Sequence, residues 1–288
     1  MRLWLVLPAV AACTDNNDTG GDQPSQTDDS PTDDVGTDTD LPADTDDTDD
    51  TDVPGGDCDA DGPGVCGVLL DPTGAPLPHY DLLCCMTETC YKGETGADGA
   101  FYFEVEPPHT VAVKTHEELF EAPRWAAALV PGDITSPTPI DLGVVYIPDL
   151  PAGVEIDDQS DDPQTLAVGD GLELTLTFPD LDPDLGVFLN DIAARKIPEQ
   201  YIPAYPGMFA DEVEAVYAIH PFATASATPI AVKAPSTLPA GTLVHFWAVS
   251  HLTGILIGPT VGHADGQFVT TDPGLGIDLL THLVISVP

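Results

Sequence analysis

The residues of this 288-residue chain that could do chemistry are mostly carboxylates, cysteines and histidines. Asp57-Cys58-Asp59-Ala60-Asp61-Gly62 has the opening of a calcium loop. The oxygens of Asp57, Asp59 and Asp61, at the first, third and fifth places, can converge on one hard cation, and Gly62 permits the sharp turn between them. Val68 stands at the twelfth place, where a bidentate glutamate would complete the shell. Calcium is therefore the one cofactor the sequence suggests, and its ligand set is incomplete. A second string, Asp180, Asp182 and Asp184 with Asp191 at the twelfth place, lacks the glycine. None of the 8 histidines sits in a His-Glu-x-x-His zinc motif; His116 is followed by Glu117 and Glu118, then Leu119. There is no G-x-S-x-G elbow and no phosphate-binding glycine loop. His245, His251, His263 and His282 gather late in the chain, in or beside strand-like runs, where cross-strand and surface roles are commoner than metal ligation. A non-enzymatic protein is the expectation.

The N-terminus sets the chemistry of the cysteines. Arg2 precedes an apolar run from Leu3 to Ala12. That run is half the roughly 20 residues a bilayer span requires, so residues 1–12 predict an export signal rather than an anchor helix. Val10-Ala11-Ala12-Cys13 resembles a bacterial lipobox. The resemblance implies cleavage before Cys13, lipidation of its thiol and amine, and a membrane-anchored place in the cell envelope, at the outer membrane or cell surface. Export makes disulfides the default for the other five cysteines. Cys85 and Cys90 flank a four-residue connection, which makes a bridge across a hairpin end easy. Cys58 with Cys66 closes a small loop at the entrance of the folded part. Cys84 is then odd and faces away from Cys85, as a buried thiol; Cys66 with Cys84 is an alternative pairing. The spacing lacks the paired C-x-x-C knuckles of a zinc site.

Charge excludes one class of partner. The chain holds 49 acids against 7 bases, and residues 58–288 alone carry 33 acids against 6 bases. So negative a field repels nucleic acid and anionic headgroups and favours cations. Residues 13–57 are Asp/Thr-rich, with 16 aspartates and no basic or aromatic residue. They have nothing to bury against the entropy of ordering, so a disordered acidic linker is expected. As a coil it would span roughly 40 Å, against a limit of about 145 Å when extended.

The elements that must position the remaining residues are strands. In residues 58–148, Val65–Leu70, Tyr80–Met86, Phe101–Val105, Thr110–Lys114 and Asp141–Ile147 read as strands between turn signals, with Cys90-Tyr91-Lys92 beginning another. Phe101 and Phe103 fall on one face, and Asp98-Gly99 supplies a positive-φ corner. Thr115–Thr138 is long for a connection; Trp125–Val130 within it reads as a loop or a short helical turn. Gly67-Val-Leu-Leu-Asp71 with Gly74 and Pro76, then Thr95-x-x-Asp98-Gly99-x-Phe101-x-Phe103, resembles a carboxypeptidase regulatory-like domain. That resemblance implies a transthyretin-like β-sandwich without catalytic residues of its own.

Residues 149–288 predict a second β-sandwich. Gly171–Phe178 alternates, Leu243–Val249 is the strongest strand, and Pro229–Lys233, Gln267–Thr270 and Leu280–Val287 add others. Ala210–Tyr217 reads as a strand or a helical turn. The fold class expected is all-β: two antiparallel sandwiches after the linker. The function expected is a cell-envelope lipoprotein displaying binding or scaffolding domains for a protein or glycan, with Trp247, Tyr201, Tyr205 and Tyr217 as conceivable sugar platforms. The alternatives are an exported hydrolase with its site in the Pro-rich loops between Phe178 and Tyr217, and a calcium-dependent adhesion module.

Overall fold

The computed structural model describes Cys58 and residues 62–87, 89–119, 124–183, 189–206, 208 and 213–288, which belong to one compact all-β unit. Seven strands build a first lobe: β1 (Gly64–Leu70), β2 (Asp81–Met86), β3 (Thr89–Glu94), β4 (Ala100–Glu104), β5 (His109–Lys114), β6 (Leu129–Ile134) and β7 (Ile140–Tyr146). They form two sheets, ordered β4-β1-β7 and β3-β2-β5-β6. Alternation places Val65, Leu69, Leu82, Val111, Val113 and Val145 in the core between them. Phe101 and Phe103 join that core with ring centroids 6.1 Å apart, as their spacing predicts. Gly99 takes φ +79° at the corner into β4, and a Cβ there would press on Leu69 O at 2.9 Å. One pair departs from the antiparallel expectation: β1 and β7 run parallel, joined through the length of the lobe rather than by a hairpin.

Part of the Trp125–Val130 expectation needs a correction. Residues 126–128 lie outside any strand, as a loop would, but Leu129 and Val130 open β6. Pro131 hides the strand signal. It is tolerated because β6 is the edge of its sheet, where a missing N–H costs no ladder bond.

Twelve strands follow: β8 (Val154–Glu155), β9 (Gln164–Gly169), β10 (Leu172–Leu176), β11 (Leu181–Asp182), β12 (Asp191–Lys196), β13 (Val213–His220), β14 (Thr224–Pro235), β15 (Leu243–Val249), β16 (Leu256–Ala264), β17 (Phe268–Thr271), β18 (Ile277–Leu280) and β19 (His282–Ser286). One sheet runs β8-β12-β13-β19-β15-β16-β17-β14-β10-β9, and β9 returns to lie against β12, so the lobe is nearly a closed barrel. The 12-residue β14 serves two parts of the wall. Its first half pairs with β11 and β18, its second with β10 and β17. Leu172, Leu174, Tyr217, Phe246, Leu283 and Ile285 fill the interior.

A third core joins the lobes. β13 and β19 are buried on both faces, which is why they read as continuous apolar runs rather than as alternating strands. Ala215, Tyr217 and Ile219 point into the barrel, while Val216, Ala218 and Val284 meet Ala112 and Leu129 of the first lobe and Leu150 of the connection between the lobes. Packing at such a seam is as dense as within a domain core, so the lobes are held as one body.

Candidate functional site

The buried polar groups of the seam are the first candidate. Glu118 and Trp125 exchange backbone hydrogen bonds of 3.1 and 2.8 Å, and Leu150 N donates to Arg124 O at 2.8 Å. This clamp fixes Glu117 and Arg124 on an arm leading out of β5. Opposite them, His220 ends β13 and Asp191 begins β12. His220 Nδ1 lies 3.0 Å from both carboxylate oxygens of Glu117, its Nε2 lies 3.7 Å from Asp191 Oδ1, and Arg124 Nη1 donates to Asp191 Oδ2 at 2.7 Å. The order is carboxylate, imidazole, carboxylate, guanidinium. An exposed array of this kind could relay protons. Here the His220 side chain is 1% exposed and that of Glu117 8%, and the four groups come from both lobes. Their geometry is that of a bolt. Arg195 adds to it, donating to Asp149 O at 2.7 Å, to Asp149 Oδ2 at 3.0 Å and to Asp170 Oδ1 at 3.2 Å.

His282 is a second cross-lobe contact. Its Nε2 donates to Ala127 O at 3.0 Å, and Nδ1 has no partner among the described residues. Burial drives its pKa down to about 4, against the smaller opposing pull of the Ala127 hydrogen bond. The other late histidines do not converge on it. His263 Nδ1 pairs with exposed Asp272 at 2.9 Å, His245 stands edge-on to Trp247, and His251 lies edge-on to Phe222.

The cysteines pair as Cys58–Cys66 and Cys85–Cys90, leaving Cys84 as the buried thiol. Cys85 and Cys90 are direct cross-strand partners in the β2–β3 hairpin. Burial pushes the Cys84 thiol up to about 12, so it holds its proton and packs as a small apolar group. A maleimide should leave Cys84 unmodified in the native protein and label it after denaturation. Native labelling at a free-thiol rate, read by peptide mass mapping, would contradict this. Among the described residues, Cys58, Cys66 and Asp141 are the one group close enough to share a metal; with both sulfurs bridged they offer no thiolate. Cys13 and the expected calcium ligands Asp57, Asp59 and Asp61 lie outside the described residues.

The aromatic residues considered as sugar platforms are committed to packing. Tyr201 stacks on Tyr146 at 4.4 Å, Tyr205 and Tyr217 are buried, and Trp247 is half-buried with Nε1 donating to Ser286 Oγ. In the Pro-rich segment proposed for a hydrolase site, Ala204–Pro206 forms one side of a cleft of about 370 Å³. Across it stand Val130–Asp133 and Ile140–Leu142, so its polar side chains are Asp133, Asp141 and the Tyr205 phenol.

A cleft of about 500 Å³ opens in the wall of the second lobe. Irregularities in two strands shape it. β14 bulges over Ser226–Pro229, between the pairs Ala225–Leu279 and Ile230–Ile277. β16 bulges at Gly258-Pro259, opposite Trp247. Gly258 sits at φ +124°, a conformation side chains rarely adopt. Gly276–Asp278 at the start of β18 closes the third side, and Phe246 is the floor. This volume lies in the range of ligand sites. Sequence reasoning missed the cleft, since Gly and Pro inside β16 read as a break. Compared with models of known protein families and with curated proteins, the chain matches none.

Proposed function

We propose that the chain is a non-enzymatic cell-envelope lipoprotein. Cys13 carries the lipid, residues 14–57 act as an acidic spacer, and the two-lobed β body captures a protein ligand. The observation that carries this reading is the allocation of polar groups. The buried array of Glu117, His220, Asp191 and Arg124 is spent on bolting the lobes together, while the cleft of the second lobe's wall offers hydroxyls, apolar side chains and one carboxylate. The first lobe serves as a carboxypeptidase regulatory-like support; its Asp98-Gly99 corner and paired Phe101 and Phe103 in a sandwich core are consistent with that kinship. A protein is favoured over a glycan because the candidate stacking aromatics are packed.

The test uses the full chain expressed in a bacterium. It should fractionate with membranes, and Cys13→Ser should move it to the soluble fraction. The released protein should then retain members of a peptide array in a saturable way. Membrane association that survives Cys13→Ser overturns the anchor; turnover of an arrayed compound, or retention of glycans alone, overturns the binding role.

A further inference from the structure

The cleft between β14, β16 and β18 has a one-sided chemistry. Ser226 Oγ donates to Thr228 O at 2.6 Å, and Thr228 Oγ1 donates to Asp180 Oδ2 at 2.6 Å. Both hydroxyl protons are committed to protein acceptors, so these oxygens meet a ligand as acceptors, while the Thr260 hydroxyl can donate or accept. Asp278 is exposed on the rim and acts as an acceptor when ionised. None of the lining residues is basic. Four of the six basic side chains of residues 58–288 are paired with other acids: Lys92 with Asp81, Arg124 with Asp191, Arg195 with Asp149 and Asp170, and Lys233 with Glu173. A hollow that holds a carboxylate and no basic side chain, in an acidic protein, is complementary to a donor-rich cation.

The rest of the lining specifies the stem that carries the cation. Ile257 and the prolines at 229 and 259 give apolar walls. From Leu256 to Thr260, β16 has β15 on one side and no strand of the described residues on the other. An extended backbone can lie along that edge. Pro259 lacks an N–H and limits the length that can pair, which also blunts self-association.

We propose that this cleft binds a lysine or arginine side chain presented by an extended peptide, with the cation at Asp278 and its apolar stem against Ile257 and Pro259. The proposal rests on reading the chain as a binding protein and names its ligand. The probe is the acetylated, amidated pentapeptide Val-Lys-Val-Lys-Val carrying a photoreactive group, with norleucine and glutamate versions replacing lysine. Titrations use the full chain in roughly 0.3 M salt, where the Debye length is about 6 Å, so that the aspartates of residues 14–57 attract the peptide little. The lysine peptide should bind and the glutamate peptide should not. The norleucine peptide should bind about tenfold more weakly, as should the lysine peptide to Asp278→Asn, a factor equal to about 1.4 kcal/mol. Asp133→Asn, at a different exposed acid, should bind as the parent does. Crosslinks should fall on residues 257–260 and 276–278. Equal binding of lysine and norleucine peptides, or an unchanged Asp278→Asn, overturns the proposal, as do crosslinks confined to residues 14–57. If a neutral peptide from the array binds instead, this assignment falls while the binding role stands.

Discussion

Replacing His220 with alanine is expected to destabilise the folded body by about 3–5 kcal/mol, the cost of leaving a buried charge without its partner. Glu117 would keep its place on the clamped arm beside Arg124, with its carboxylate 8% exposed and the 3.0 Å donor gone. Nothing nearby replaces the contact, because the Arg124 guanidinium is already held by Asp191 at 2.7 Å. In a body of this size the loss corresponds to a fall in Tm of about 10 °C. Removing both partners, as Glu117→Ala with His220→Ala, should cost less than the two single changes combined, by about 1–3 kcal/mol, since no orphan charge remains. His220→Gln, which keeps a donor, should recover part of the single loss. Urea or thermal unfolding of the four variants decides the matter. A single-variant loss under about 1 kcal/mol with strictly additive effects would mean that the network does not hold the seam.

These residues were beyond the reach of sequence reading for a physical reason. Glu117 and His220 are 103 positions apart, and Arg124 and Asp191 are 67 apart, so no local motif joins them. The available signal was scarcity: residues 58–288 hold only 6 bases, so each must be placed with care among 33 acids. The strands were legible where turn chemistry and alternation agreed. Phe101 and Phe103 beside Asp98-Gly99, and the run Leu243–Val249, fall where the pattern puts them. Reading failed where a strand carries turn residues or charges in its interior. Pro131 masks β6, Gly258-Pro259 masks β16, and Asp191, Arg195 and Lys196 disguise β12. In β6 and β16 the exception marks an edge or a bulge, and in β12 two of the charges, Asp191 and Arg195, are those of the bolt. The departures from local consistency thus mark the seam and the cleft, as expected if function and junctions are where local rules yield.

Acid should loosen the same seam through His282. Its folded-state pKa of about 4 lies below the ordinary 6.5, chiefly because burial penalises the charged ring. An unfolded chain therefore takes up the proton first as pH falls. Stability is complete above about pH 6.5 and is lost progressively toward pH 4, by about 3 kcal/mol if this residue acts alone. The ring already donates through Nε2 to Ala127 O, so the incoming proton must go to Nδ1, which has no acceptor among the described residues. The penalty falls on the contact between lobes, since His282 lies in β19 and Ala127 just before β6. His282→Gln keeps an amide donor for Ala127 and removes the titration. Carboxylates titrate over part of the same range, so the informative quantity is the difference between parent and variant in urea unfolding from neutral pH down to about 4. That difference should shift in favour of the variant by about 3 kcal/mol across this window. Parallel curves would show that the ring is not held neutral in the folded protein. A variant that loses stability equally at every pH would assign His282 a packing and hydrogen-bonding role without a proton-linked one.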